Sequence, residues 1–117
     1  MWEGGVRVPF IIQWPGKIVL GLKISVIAGM MDILPTLAEI SGCTVPHDRK
    51  IDGQSLYPLL TGEMTAQPPH DVYYFYRTLQ LQAVRKGKWK LHLLSGELYN
   101  LEEDISESRN IATANAN

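Results

Sequence analysis

From Val72 onward the hydrophobic period changes from helical to alternating, and this change constrains the fold most. Four short runs follow: Val72 to Tyr76, Leu79 to Arg85, Lys88 to Leu93, and Glu97 to Leu101. Turn signals separate the last three, Lys86-Gly87 and Ser95-Gly96. Alternation with period two places successive side chains on opposite faces of a strand. A Lys-Gly pair between two such runs suits a two-residue hairpin turn. The pattern predicts an antiparallel meander of about four strands with one wet face. In the third run Trp89, Leu91 and Leu93 share one face, and Lys88, Lys90 and His92 the other, which is expected to be the solvated one.

Glu63 to Asp71, with Pro68-Pro69 inside it, reads as a linker. It divides the chain into residues 1–62 and a small antiparallel subdomain, residues 63–117. Before it stand two short helices of one local grammar. Asp32 to Gly42 begins with a capping Asp, has Pro35 in its first turn and stops at Gly42. Ile33, Leu34, Leu37 and Ile40 fall on one side and are expected to pack. Ser55 to Gly62 repeats the design with Pro58 and Gly62. The first residues, Trp2 to Gly16, join a Gly4-Gly5 bend to an apolar run. Val8 to Trp14 is expected to be a strand buried on both faces. Asp104 to Ala112 is expected to be a last short helix, and Thr113 to Asn117 a frayed end.

The chain has 117 residues, a formal net charge of -1 and one cysteine. That charge gives no reason to expect nucleic acid or an anionic membrane as partner. The longest apolar runs fall short of the roughly 20 residues of a membrane span. Cys43 alone allows neither an internal disulfide nor an all-cysteine metal site. The start carries Glu3 and two glycines rather than the basic and apolar regions of a signal peptide.

An ordered series of motifs resembles the C-terminal part of the formylglycine-dependent sulfatases, the arylsulfatase group. Glu3-Gly4-Gly5-Val6-Arg7-Val8-Pro9 with Trp14-Pro15-Gly16 is similar to that family's "EGG-x-R-x-P … WPG" segment. Asp32-Ile33-Leu34-Pro35-Thr36 is similar to its "D-x-x-PT" helix start, and Asp52-Gly53-Gln54-Ser55-Leu56 with Leu59-Leu60 to its "DG-x-SL-x-x-LL" turn. Arg85 to Leu91 resembles its "R-x-G-x-WK" hairpin; Glu97 to Leu101 and Asn110-Ile111-Ala112 resemble its closing segments. Asp104-Ile105 departs from the family's Asp-Pro. The resemblance implies an α+β fold, the C-terminal part of an alkaline-phosphatase-like sulfatase, with residues 1–62 at the edge of its main α/β domain. It implies hydrolysis of sulfate monoesters on a sulfated sugar or aryl compound. It also implies calcium and a formylglycine made from Cys or Ser in Cys/Ser-x-Pro-x-Arg, and an exported (periplasmic, extracellular or lysosomal) protein.

No such pattern occurs in these residues: Cys43 is followed by Thr44-Val45-Pro46. The family's metal ligands and its sulfate-contacting Lys lie upstream of this segment. The chain is therefore expected to be a fragment, to be inactive alone, to need the missing N-terminal part as partner, and to self-associate when isolated. Glu3 and Arg7 follow that Lys and are candidates for the sulfate pocket; the plainer reading is that they anchor the bend. His70, on the linker, is an acid–base candidate or an exposed linker histidine. Arg77, after Tyr73 to Tyr76, suits a sulfate by its forked donors; the plainer reading is that this stripe is a strand packing on a helix. Arg85, Lys86, Lys88 and Lys90 form a basic hairpin, most simply a solvated face. His47, Asp48 and Asp52 lack the ligand number and spacing of a metal loop. Two alternatives remain open: a non-enzymatic module binding sulfated glycan or protein, and a fragment of a phosphate or phosphonate ester hydrolase.

Overall fold

The sheet forms where the period of two predicts it. In this computed structural model, which describes residues 1–115, β1 is Val72–Arg77, β2 Gln80–Lys86, β3 Trp89–His92 and β4 Glu97–Asn100. The strands pair antiparallel in chain order. Lys86 pairs with Trp89, so the connection between β2 and β3 is Gly87-Lys88, one residue later than expected. Gly87 has φ of 54°, open to glycine at little cost.

Register aligns Tyr73, Arg85, Lys90 and Tyr99 in one row and Phe75, Ala83 and His92 in the next. This face is buried: Ala83 and Lys90 are 0% exposed, Tyr99 3% and His92 6%. The opposite face carries Tyr74, Val84, Leu91 and Trp89, with Tyr74 55% and Trp89 38% exposed. The alternation is as the sequence predicts, but its sense is reversed. The face expected to be wet is the packed one. Lys90 and His92 can be buried because carboxylates meet them there, and a buried charge is tolerated when paired and hydrogen-bonded.

The residues group into two compact units, Met1–Ile11 with Val72–Asn117, and Ile12–Asp71. The expected division fell at residues 62 and 63. Residues 1–11 group with the sheet because the short helix α1, Glu3–Val6, is tied to it through Glu3. Gly4 and Gly5 form that helical turn without positive φ. Val8 to Trp14 is not a strand: these residues have no ladder partner, and Ile11 is 90% exposed. Composition marks such a run as apolar but does not supply the neighbouring strands that would make it one.

In the second unit α2 spans Ile33–Ser41 and α3 Tyr57–Leu60. Gly42 ends α2 at φ 69°, and the N–H of Cys43 bonds back to the carbonyl of Ala38 at 2.8 Å. Pro58 lies in the first turn of α3, and the hydroxyl of Ser55 accepts from the N–H of Tyr57 at 3.1 Å. The stripe expected to pack does so only in part. Leu34 and Leu37 are more than half exposed, whereas Thr36 is the buried residue of α2. Leu56 and Leu60 are buried, worth about 1.5–3 kcal/mol each.

Asp104 to Ala112 is a bonded loop rather than a helix. The Asp104 carboxylate accepts from the N–H groups of Ser108 and Arg109, at 2.8 and 2.7 Å. A short polar side chain that takes up backbone donors competes with the helix in this way. Ala112–Asn115 closes in a single 3-10 turn. Of the end expected to fray, Thr113 to Asn117, the first three residues belong to this turn, and residues 116 and 117 lie outside the described residues.

Candidate functional site

Five ionisable side chains converge under the sheet. Glu3 arrives from α1, Arg85 from β2, Lys90 and His92 from β3, and Glu107 from the loop after β4. Lys90 Nζ donates to Glu3 Oε1 at 2.9 Å and lies 3.0 Å from Glu107 Oε1. His92 Nε2 donates to Glu107 Oε1 at 2.8 Å. Glu107 Oε2 accepts from the backbone N–H of Glu3. Arg85 stands 3.6 Å from Glu3 Oε2; Arg7, half exposed, stands 3.8 Å away. Aromatic rings enclose the cluster. Trp2 lies 4.4 Å from His92, Tyr99 meets His92 edge-on, and Lys90 sits 4.9 Å from the centre of Phe75.

The cluster is internally satisfied: among the described residues no buried side-chain N or O lacks a partner. Removing two carboxylates from water costs several kcal/mol per ion, and geometry of this quality is what offsets it. Burial raises the Glu107 pKa, but the bonds from His92, the Glu3 N–H and Lys90 outweigh it and hold the group below its usual value. Tyr99 is raised, first by burial and then by Glu97. Glu107 also sits at φ 54°, a conformation that costs a non-glycine residue about 1–2 kcal/mol.

In the second unit Asp32 plays the corresponding part. It is fully buried. Oδ2 accepts from the N–H of Gly29 at 2.7 Å and Oδ1 from the N–H of Gln54 at 2.8 Å. His70 Nε2 lies 2.8 and 3.0 Å from the two oxygens. Thr36 Oγ1 donates to the carbonyl of Asp32 at 2.6 Å and accepts from the N–H of Leu56 at 2.8 Å. A Cβ at Gly53 would fall 1.9 Å from the carbonyl oxygen of Met31. The expected cap of α2 is thus used to bind three chain segments together.

The remaining sequence candidates are placed differently. His70 is not an exposed linker side chain, being 9% exposed against Asp32. Arg77 is exposed at the end of β1, opposite Gln80. The basic hairpin is solvated only in part: Lys86 is exposed, whereas Lys90 is buried and Arg85 is 19% exposed. Asp48 pairs with Arg49 and Asp52 with Lys50. A shallow groove of about 330 Å³ runs beside α2 between Pro35, Ala38 and Val45. Among the described residues no group of three or more His, Cys, Asp or Glu is arranged to hold a metal ion.

The family model described as N-sulphoglucosamine sulphohydrolase, C-terminal, matches residues 1–117. The chain belongs to the sulfatases, as a C-terminal portion. It is 39% identical over 102 residues to an arylsulfatase of Hemicentrotus pulcherrimus, covering 87% of this chain and 18% of that protein. It is 45% identical over 84 residues to the steryl-sulfatase of Homo sapiens, covering 72% and 14%. A similar solved structure is BT33336S-sulf, from a Bacteroides thetaiotaomicron locus for metabolism of multiple glycosaminoglycans. It shares 26% identity at a TM-score of 0.73, over 97% of this chain and 27% of that one. The chain spans less than a fifth of the two curated relatives.

Within this sulfatase segment the motifs have physical explanations. The Glu of "EGG" and the Lys of "WK" are Glu3 and Lys90, which bond to each other. The Asp and Thr of "D-x-x-PT" meet the "DG-x-SL" turn through Gln54 and Leu56, and its Gly is Gly53, where no side chain fits. Sequence reading missed Glu107 and misplaced Lys90 and His92. The only signal was that the polar and apolar rows of β3 are equally regular, so either could face inward.

Proposed function

We propose that this chain is the supporting C-terminal part of an enzyme that hydrolyses sulfate monoesters, on a sulfated sugar or aryl compound, and that it has no turnover by itself. The observation that carries this reading is the use to which the motif residues are put. Glu3, Asp32, Thr36 and Lys90 are committed to bonds within the segment. The relatives compared are sulfatases, which supports sulfate over phosphate or phosphonate esters. Among the described residues no donor set fits the calcium that the family implies, and no Cys or Ser stands in the Cys/Ser-x-Pro-x-Arg pattern from which formylglycine would be made. They belong to the larger part of the enzyme, which is the expected partner, and the family implies export. No described helix is long and apolar enough to cross a membrane.

The reading as a stand-alone binder of sulfated glycan or protein rests on the basic hairpin and the aromatic strand Tyr73 to Tyr76; within the hairpin Lys90 is buried and paired, which weakens the first of these two supports. The test is direct. The isolated chain with calcium and a chromogenic aryl sulfate is expected to match a heat-killed control, and the longer polypeptide carrying it to turn over. Activity of the isolated chain would refute the proposal. Exposed Val8, Phe10 and Ile11 lead to a second expectation, association of the isolated chain in sedimentation.

A further inference from the structure

The N-terminal turn is held to the sheet by charge. Glu3 supplies two short attachments: its carboxylate receives Lys90 and its backbone N–H donates to Glu107. Trp2 and Tyr99 flank the attachment, with ring centres 5.9 Å apart. The groups facing the Glu107 carboxylate are the Glu3 N–H from α1 and Lys90 and His92 from β3, with Tyr99 of β4 within its field; Arg85 from β2 and Arg7, just after α1, face the Glu3 carboxylate instead. Protonation of the Glu107 carboxylate would leave the buried Lys90 with one carboxylate in place of two and weaken the acceptor of the Glu3 N–H. The turn lies outside the sheet ladder and is held to it by these bonds together with the packing of Trp2 on His92 and Tyr99. Glu107 sits at positive φ, so the loop that carries it gains freedom when its bonds are lost.

We propose that the Glu3–Lys90–Glu107–His92 cluster is an acid-operated latch, closing α1 onto the sheet at neutral pH and releasing it when the Glu107 carboxylate protonates. The release is local. The hydrogen bonds of the four strands do not depend on the cluster, and sub-global opening of such a segment is the usual behaviour of weakly tethered elements.

Hydrogen exchange by mass spectrometry tests this in the polypeptide carrying this segment, between pH 7 and pH 3.5, corrected for intrinsic rates. The reporter amides are Glu3, Gly5 and Arg7, which bond to Glu107, Trp2 and Glu3; the reference is Leu93, bonded to Gln82. The expected result is a reversible rise of about tenfold or more at the reporters relative to the reference as pH falls. Glu107→Gln is expected to exchange fast at pH 7 and to lose the pH step. Exchange that is flat in pH, or that rises in parallel at Leu93, would overturn the latch. The unsubstituted protein decides the matter even if the variant fails to fold.

Discussion

Asp32 and Glu107 are both buried carboxylates, each joining segments distant in sequence, yet they are held by different chemistry. Asp32 takes two backbone N–H groups and one imidazole. Glu107 takes an ammonium, an imidazole and one backbone N–H, beside a second carboxylate. The first is fixed largely by backbone dipoles. The second is a balance of full charges in which each group depends on the others. The charged junction should therefore be the more sensitive to loss of one member and to acid.

The largest effect is expected from Lys90→Met. It leaves Glu3 and Glu107 facing each other without their shared cation, and breaking a buried pair typically costs about 3–5 kcal/mol. That is a large share of the stability of a small domain. A urea titration followed by tryptophan fluorescence measures it, and adding Glu107→Gln should recover part of the loss. At the other junction Asp32→Asn keeps one acceptor oxygen and sets an NH₂ against existing donors. A loss of about 1.5–3 kcal/mol is expected in the same titration. A loss equal to that of Lys90→Met would erase the contrast between the junctions. Gly53→Ala tests the packing beside Asp32 and should cost about 1–3 kcal/mol or somewhat more.

Acid gives a subtler comparison. The folded-state pKa of Glu107 lies below its ordinary value of 4.5. Its stabilising contribution is thus fully present above that ordinary value and is lost as pH falls through the lower folded value. Stability of the sheet unit measured from pH 7 downward should hold until about 4.5 and then decline, and Glu107→Gln should flatten that decline. The smallest effect is expected from Arg7→Met. Arg7 is half exposed and 3.8 Å from Glu3, a contact of about 0–1 kcal/mol.

The sequence showed the strands well and the junctions poorly, for physical reasons. Alternation marks a strand from within itself, so β1 to β4 were legible to within a residue or two. Gly42, Pro58 and Gly62 are local signals and lie where they were expected. Which face of β3 packs is not a local property. It is decided by Glu3 and Glu107, 104 residues apart in the chain, and no spacing rule links them. The apolar run Val8 to Trp14 shows the same limit, since a strand needs partners that its own residues do not reveal. The candidate residue Glu3 was found by motif, whereas its bonds were found only in the fold.

The central claim is that Glu3 serves the architecture of this segment through Lys90. A double-mutant cycle with Glu3→Gln and Lys90→Met tests it most directly. A coupling of about 1.5 kcal/mol or more is expected, within the range of residues in direct contact. Losses that add to within about 0.5 kcal/mol, as for independent sites, would contradict it.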